Sequence, residues 1–130
     1  MKRQNILAIF AAILATSGIA SAQDFVQSGT ADKLPQTEGK AIYNAVCSGC
    51  HMPDGKGAIG AGAYPALAGN PNLETADYPI YIIIHGQRAM PDLGGIMDDE
   101  QIAAVVNYIR HDLGNNFEGD TTAEDVAGAR

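Results

Sequence analysis

The sequence is poor in cysteine and in basic residues. It has only two cysteines, so a structural zinc site, which usually takes four protein ligands, would lack a second cysteine pair. Its eight lysines and arginines face fifteen aspartates and glutamates, and the formal net charge is −7. Nucleic acid and anionic membrane surfaces repel such a chain, so neither is expected as a partner. A partner with a basic or a mainly apolar docking surface fits better.

The N-terminus has the pattern of a cleavable export signal. A basic start with Lys2 and Arg3 precedes an apolar stretch over residues 6–19, and Ala20-Ser21-Ala22 has the small residues of a signal-peptidase site. The apolar stretch is shorter than the roughly 20 residues that cross a bilayer, and no later segment is long and apolar enough. We therefore predict a signal peptide over residues 1–22, a periplasmic protein, and no stable membrane insertion after cleavage.

A chain of 130 residues has room for one ordinary domain. We predict a polar N-terminal arm over residues 23–36, a domain over 37–114, and an acidic C-terminal tail over 115–130 that we expect to fray. The first helix should begin near Thr37 and Glu38 and run into Cys47. Residues 52–72, rich in glycine and proline, should form a loop. A second helix should open around Asp77 to Pro79 and stop at Gly86.

The last helix has the clearest pattern. Asp98 is a good N-cap, Gln101 stands three residues later as its capping-box partner, and Gly114 marks the expected end. The apolar residues between them recur at the spacing of one buried helix face: Ile102, Val105, Val106, Ile109 and Leu113. We find no convincing strand pattern and no internal repeat.

The two cysteines form the pair Cys47 and Cys50, and His51 follows directly, which is the spacing of c-type haem attachment. Two thiols three positions apart near a helix end can each form a thioether with a haem vinyl group, while the adjacent imidazole lies under the iron as its proximal ligand. One short segment would therefore fix both the porphyrin and the metal.

The alternative for this motif is a disulfide or a thioredoxin-like redox pair beside an unrelated histidine. A redox pair of that kind is expected beside a strand-helix-strand pattern, which this sequence lacks. We therefore favour haem.

The second iron ligand could come from any of five residues: Met52, Met90, Met97, His85 and His111. Met52 is too close to His51 to reach round the porphyrin. Met97 precedes the N-cap and suits a packing role on Ile102, while His111 suits the surface at a helix C-terminus. His85 would give a bis-histidine site. We favour Met90, because it lies in a loop stiffened by Pro91 and a thioether stabilises ferrous iron; a core methionine is the alternative.

Taken together, four stretches resemble the class I monohaem c-type cytochromes, especially bacterial domains attached to or serving periplasmic dehydrogenases. The stretches are CSGCHMPDG over residues 47–55, YPALAGN over 64–70, GQRAMP over 86–91 and DEQIAAVVNYI over 99–109. The resemblance extends from about Thr37 to Leu113. It implies an all-α cytochrome c fold, with three main helices and long loops wrapped around one covalently attached haem c.

The resemblance also implies roles for individual residues. The first and last helices would cross at Gly39 and Tyr108, and the Pro65 carbonyl would accept the Nδ1 proton of His51. Arg88 would pair with a haem propionate or remain exposed to solvent. The haem wall would be formed by Tyr64, Leu67, Ile83 and Ile84. The lysines that ring the haem edge in mitochondrial-type cytochromes are missing, so the partners of those proteins are not carried over.

The function that we predict is one-electron transfer by an electron carrier that is not itself an enzyme. A dehydrogenase would donate electrons, and an oxidase or another cytochrome would accept them on the way to the respiratory chain. The chain would be a free shuttle or a subunit of a dehydrogenase. Two alternatives remain: an enzyme or gas sensor with five-coordinate haem, and a haem-free thiol oxidoreductase.

Overall fold

The computed structural model describes residues 33–130, so the predicted signal peptide and most of the predicted arm lie outside the described residues. This part of the chain is mainly helical, as predicted. Its α-helices are α1 (Gly39–Ile42), α2 (Ser48–His51), α3 (Asp77–His85), α4 (Asp99–His111) and α5 (Ala123–Gly128). A π-helical turn, Tyr43–Cys47, joins α1 to α2, so the predicted first helix is present and continues past Cys47 to His51. Within residues 33–130, no helix is long and apolar enough to span a bilayer.

The segment predicted to be a loop contains two very short strands. Strand β1 (Ala58–Ile59) pairs with β2 (Ala63–Tyr64) in antiparallel register, with Ala58 opposite Tyr64. A short 3-10 helix, Pro71–Leu73, follows. Two-residue strands are too short to show an alternating pattern, which is why the sequence did not reveal them.

Helix α4 begins with the predicted capping box. The Asp98 carboxylate accepts the backbone N–H of Gln101 at 2.8 Å, and the Gln101 side-chain oxygen accepts the backbone N–H of Asp98 at 3.0 Å. The Gln101 amide also donates to the carbonyls of Leu34 and Gln36, at 2.6 and 2.7 Å. One glutamine therefore caps the helix and fastens the described end of the arm.

The apolar face of α4 forms the centre of the core. Its buried residues are Ile102, Val105, Val106 and Ile109. The helix ends at His111, earlier than Gly114, because Asp112 already has an extended backbone (φ −111°, ψ −166°), and Leu113 follows with a positive φ of 57°. Leu113 is therefore only half-buried and packs against the core from beyond the helix end.

The first helix crosses α4 at Gly39. A Cβ at this position would lie 2.9 Å from the Tyr108 Cβ and 2.8 Å from the carbonyl carbon of Ala104. Nearby, the rings of Tyr43 and Tyr108 pack at a tilt, with centroids 5.3 Å apart. The two helices therefore meet as closely as their backbones allow, which is the crossing that the resemblance implied.

The expectation that residues 115–130 fray is wrong. Helix α5 has its own capping box between Thr122 and Asp125, and Val126 is fully buried in the core. Arg130 pairs with Asp99 at the start of α4, at 2.5 Å. The acidic residues of this segment lie mostly on its exposed side, so their charge does not prevent its apolar residues from packing on α4.

Candidate functional site

The first helix delivers the cysteines and the histidine to one place. The π-helical turn ends at Cys47, and α2 contains Cys50 and His51. Both thiols are free, with Cys47 half-buried and Cys50 exposed. All three side chains line the same cavity. A π-helical turn inside an α-helix is frequent at functional sites.

His51 is buried, and its ring has a fixed orientation. The Nδ1 atom lies 2.9 Å from the Pro65 carbonyl oxygen, which is the contact that the resemblance implied. Because a carbonyl only accepts hydrogen bonds, Nδ1 is the nitrogen that carries the proton, and in the neutral ring this leaves the lone pair on Nε2. The loop that holds Pro65 is itself tied back, since Leu67 N–H donates to the Gly55 carbonyl at 2.7 Å. His51 is thus prepared to bind a metal through Nε2.

The cavity beside these residues has a volume of about 800 Å³. This is within the range of about 300 to 1,000 Å³ that is typical of ligand and cofactor sites. Its inner wall is mainly aliphatic and includes Leu67, Ile82, Ile83, Leu93, Val105 and Ile109. At its mouth, Tyr64 and Tyr78 are 45% and 43% exposed. Size, apolar lining, free thiols and an available imidazole nitrogen all fit a haem held at one edge.

Met90 reaches the same cavity from the loop after α3. Its backbone forms a tight turn with Gln87, in which Gln87 N–H donates to the Met90 carbonyl at 3.0 Å and Met90 N–H donates back at 2.9 Å. Gly86 allows this turn, because a Cβ there would lie 2.7 Å from the Met90 carbonyl oxygen. A half-buried thioether is therefore fixed in the cavity wall, on a different segment from His51.

The other four candidate ligands do not line this cavity. Met97 is fully buried in the core, and Met52 follows His51 at a positive φ of 66°. His85 is exposed, with its ring against Tyr81 at 4.6 Å. His111 lies beside the Gly119 carbonyl at 3.3 Å. In the described part of the chain, Met90 is the only methionine beside His51 in the cavity wall.

One of the residues that the resemblance assigns to the haem wall lies outside the cavity lining. Ile84 does not line the cavity; it is buried in the core beside Gly94, and Ile82 lines the cavity instead. Successive residues of a helix differ by about 100° in direction, so neighbouring isoleucines cannot all face one cavity. The cavity is lined by the other five residues, with Arg88 exposed at the mouth: Tyr64, Pro65, Leu67, Ile83 and Arg88.

The sequence analysis missed Asn115, a buried residue that does not line the cavity but holds two segments of its wall together. Its side-chain oxygen accepts the Gly69 N–H at 2.8 Å, and its amide donates to the carbonyls of Leu67 and Ile109 at 2.8 and 2.7 Å. The residue thus ties the loop after Pro65 to α4. The only signal in the sequence was its position directly after Gly114, at the expected end of the last helix.

The thiol of Cys47 is not activated. Burial, with a smaller contribution from the nearby Cys50, raises the pKa of Cys47 to about 11. A thiol with that pKa is almost fully protonated at neutral pH, whereas thiol oxidoreductases need a thiolate. Within residues 33–130, no cluster of three or more His, Cys, Asp or Glu side chains could hold a metal ion.

Comparison with known proteins identifies the family. A family model described as cytochrome c oxidase, cbb3-type, subunit III matches residues 35–109. The chain is 34% identical over 123 residues to the cytochrome c subunit of the alcohol dehydrogenase (quinone) of Gluconacetobacter polyoxogenes, covering 85% of this chain and 25% of that protein. It therefore spans about a quarter of the length of that subunit.

Two shorter relatives are cytochromes. Cytochrome c-552 of Thermus thermophilus is 34% identical over 92 residues, covering 58% of this chain and 60% of that protein. Cytochrome c6 of Chlorolobion braunii is 31% identical over 84 residues, covering 60% of this chain and 91% of that protein. The chain belongs to the cytochrome c family and is an electron carrier with covalently attached haem c.

Proposed function

We propose that this chain transfers single electrons in the periplasm through a haem whose iron is held by His51 and Met90. The observation that carries the proposal is that the His51 imidazole and the Met90 thioether lie in the wall of one cavity, on separate segments of the chain. When bound, haem c supplies the Fe(III)/Fe(II) couple.

The residues of the site have distinct tasks in this proposal. Cys47 and Cys50 hold the porphyrin covalently, so it cannot dissociate between encounters. The hydrogen bond from Nδ1 to the Pro65 carbonyl makes Nε2 of His51 more basic and therefore a stronger ligand for iron. Met90 supplies a soft thioether that favours ferrous iron. The aliphatic wall excludes water, which also favours the less charged, reduced state.

Arg88 stands at the mouth, where a propionate would emerge. It is exposed, lines the cavity, and has no carboxylate partner within 4.0 Å among the described residues. We assign it the propionate contact. A guanidinium matches a carboxylate with two parallel hydrogen bonds.

A dehydrogenase is the electron donor in this proposal, and an oxidase or another cytochrome is the acceptor. The support is the similarity to a dehydrogenase cytochrome c subunit over 85% of this chain. Such redox contacts are typically small and transient. Copurification with a dehydrogenase after mild extraction would distinguish a bound subunit from a free shuttle.

The two alternative functions fit less well. A five-coordinate haem enzyme or gas sensor needs an open position on the iron, whereas Met90 already stands in the cavity wall. A thiol oxidoreductase needs a reactive cysteine, whereas the Cys47 pKa is raised.

The test is the absorption spectrum of the purified holo-protein. We expect Met90→Leu to lose the weak far-red sulfur-to-iron band of the oxidised protein and to bind carbon monoxide when reduced. Leucine has nearly the volume of methionine, so packing changes little. The matched control is Met97→Leu in the core, which should keep the band and exclude carbon monoxide.

Two results would contradict the proposed iron ligation. If Met90→Leu keeps the band, Met90 is not the ligand. If wild-type protein binds carbon monoxide at neutral pH, the iron has an open position and the five-coordinate alternative gains support.

A further inference from the structure

Arg110 is a buried cation with no anionic partner. It is 4% exposed, and no carboxylate lies within 4.0 Å of it among residues 33–130. Its guanidinium donates instead to four backbone carbonyls. These belong to Leu73 at 3.0 Å, Glu74 at 3.1 Å, Glu118 at 2.7 Å and Gly119 at 2.6 Å.

The charge of this side chain is permanent. Arginine stays protonated at every pH at which proteins fold, so burial cannot neutralise it. Glu74 and Glu118 contribute only their carbonyls, while both residues are exposed to solvent. Neutral carbonyl dipoles satisfy the donors but leave the net charge uncompensated. Burying such a charge is costly, so this arginine calls for a functional explanation.

Arg110 lies directly behind the haem cavity. Leu73, whose carbonyl accepts the Nε–H, lines the cavity, and so does Ile109, the preceding residue on α4. Both of these aliphatic wall residues are buried, and electrostatic interactions between buried groups are screened less than in water.

We propose that Arg110 is a positioning residue that places a fixed positive charge behind the cavity wall and raises the reduction potential of the haem. Reduction adds one electron and lowers the positive charge at the iron by one. A nearby cation therefore stabilises the reduced state relative to the oxidised state. Four carbonyls hold the guanidinium in place, so it need not move when the charge at the iron changes.

A purely structural role makes a different prediction. Arg110 joins the 3-10 helix to residues 118–119, so its loss should lower stability in any case. If bracing were its only role, the potential should depend on the geometry of the side chain and not on its charge. The two roles can be separated by changing charge and geometry independently.

The experiment is redox titration of holo-protein at neutral pH, with thermal unfolding measured alongside. In Arg110→Met the equilibrium constant for reduction should fall about three- to tenfold, and a tenfold fall corresponds to about 59 mV for one electron. Arg110→Lys keeps the charge but cannot reach four carbonyls; it should lose stability and remain within about twofold of wild type in potential. If Arg110→Met does not accumulate, Arg110→Gln replaces it with the same expectation.

Lys40→Met is the matched control, since it removes the same charge from an exposed position on α1. Its effect on the equilibrium constant should be below about twofold, because solvent screens exposed charges. An unchanged potential in the uncharged Arg110 variant would overturn the proposal, and so would an equal fall in Arg110→Lys. The inference depends on the covalent haem but not on Met90, so it can fail while the assignment of the sixth ligand holds.

Discussion

Replacing Gly39 with alanine tests the helix crossing that positions the haem motif. A methyl group at this position would lie 2.9 Å from the Tyr108 Cβ and 2.8 Å from the Ala104 carbonyl carbon. Carbon atoms normally pack at about 3.5 to 4.0 Å, so α1 and α4 would have to separate by roughly 1 Å. The obstacles are backbone and a Cβ atom, which cannot turn aside as a flexible side chain can.

The magnitude follows from two opposing terms. Overpacking a close contact costs about 3 kcal/mol at the upper end of its usual range. Alanine gains at most about 1 kcal/mol over glycine in a helix. The net expectation is a loss of about 2 kcal/mol, which lowers the melting temperature of a domain of this size by roughly 8 to 16 °C.

The assay is thermal unfolding of holo-protein, followed by far-UV circular dichroism. Gly128→Ala is the matched control, because a Cβ added to this glycine at the end of α5 would meet nothing within 4 Å. That variant should be neutral or slightly stabilised. A Gly39→Ala protein as stable as wild type would refute the reasoning, since it would mean that the crossing has room for a side chain.

Two further predictions concern stability. Burial raises the pKa of Tyr43 to about 12, and the Tyr43 hydroxyl donates to the Met52 carbonyl at 2.7 Å. Its contribution to stability is therefore complete below pH 10, the ordinary tyrosine pKa, and is lost as the pH rises towards 12. Chemical denaturation of Tyr43→Phe should show about 1 kcal/mol lower stability at pH 7 and a weaker decline above pH 10 than wild type; an equal decline would contradict the assignment. Asn115→Ala should lose about 2 kcal/mol in the same assay, because it leaves the buried Ile109 carbonyl and two part-buried backbone groups, the Leu67 carbonyl and the Gly69 N–H, without this partner, whereas its exposed neighbour Asn116→Ala should be nearly neutral.

Local patterns were sufficient for much of the fold. The capping box at Asp98 and the apolar face of α4 involve residues that are neighbours on one helix, so their spacing in the sequence is already their spacing in the structure. The same holds for Cys47, Cys50 and His51, which lie within one five-residue segment at a helix end. The frayed tail was a wrong prediction because composition reports charge but not which side of a segment is buried. Val126 is the residue of α5 that is fully buried in the core.

Sequence patterns were enough to identify the attachment motif, the helices that frame it and the acidic character of the chain, because each depends on residues close together or on simple composition. Tertiary structure decided that Met90 and not Met97 faces the cavity, that Ile82 replaces Ile84 in its wall, and that Arg110 lies behind it. These outcomes depend on how helices and loops distant in the chain turn toward one another. A side chain's direction is set by that packing, and spacing along the chain does not encode it.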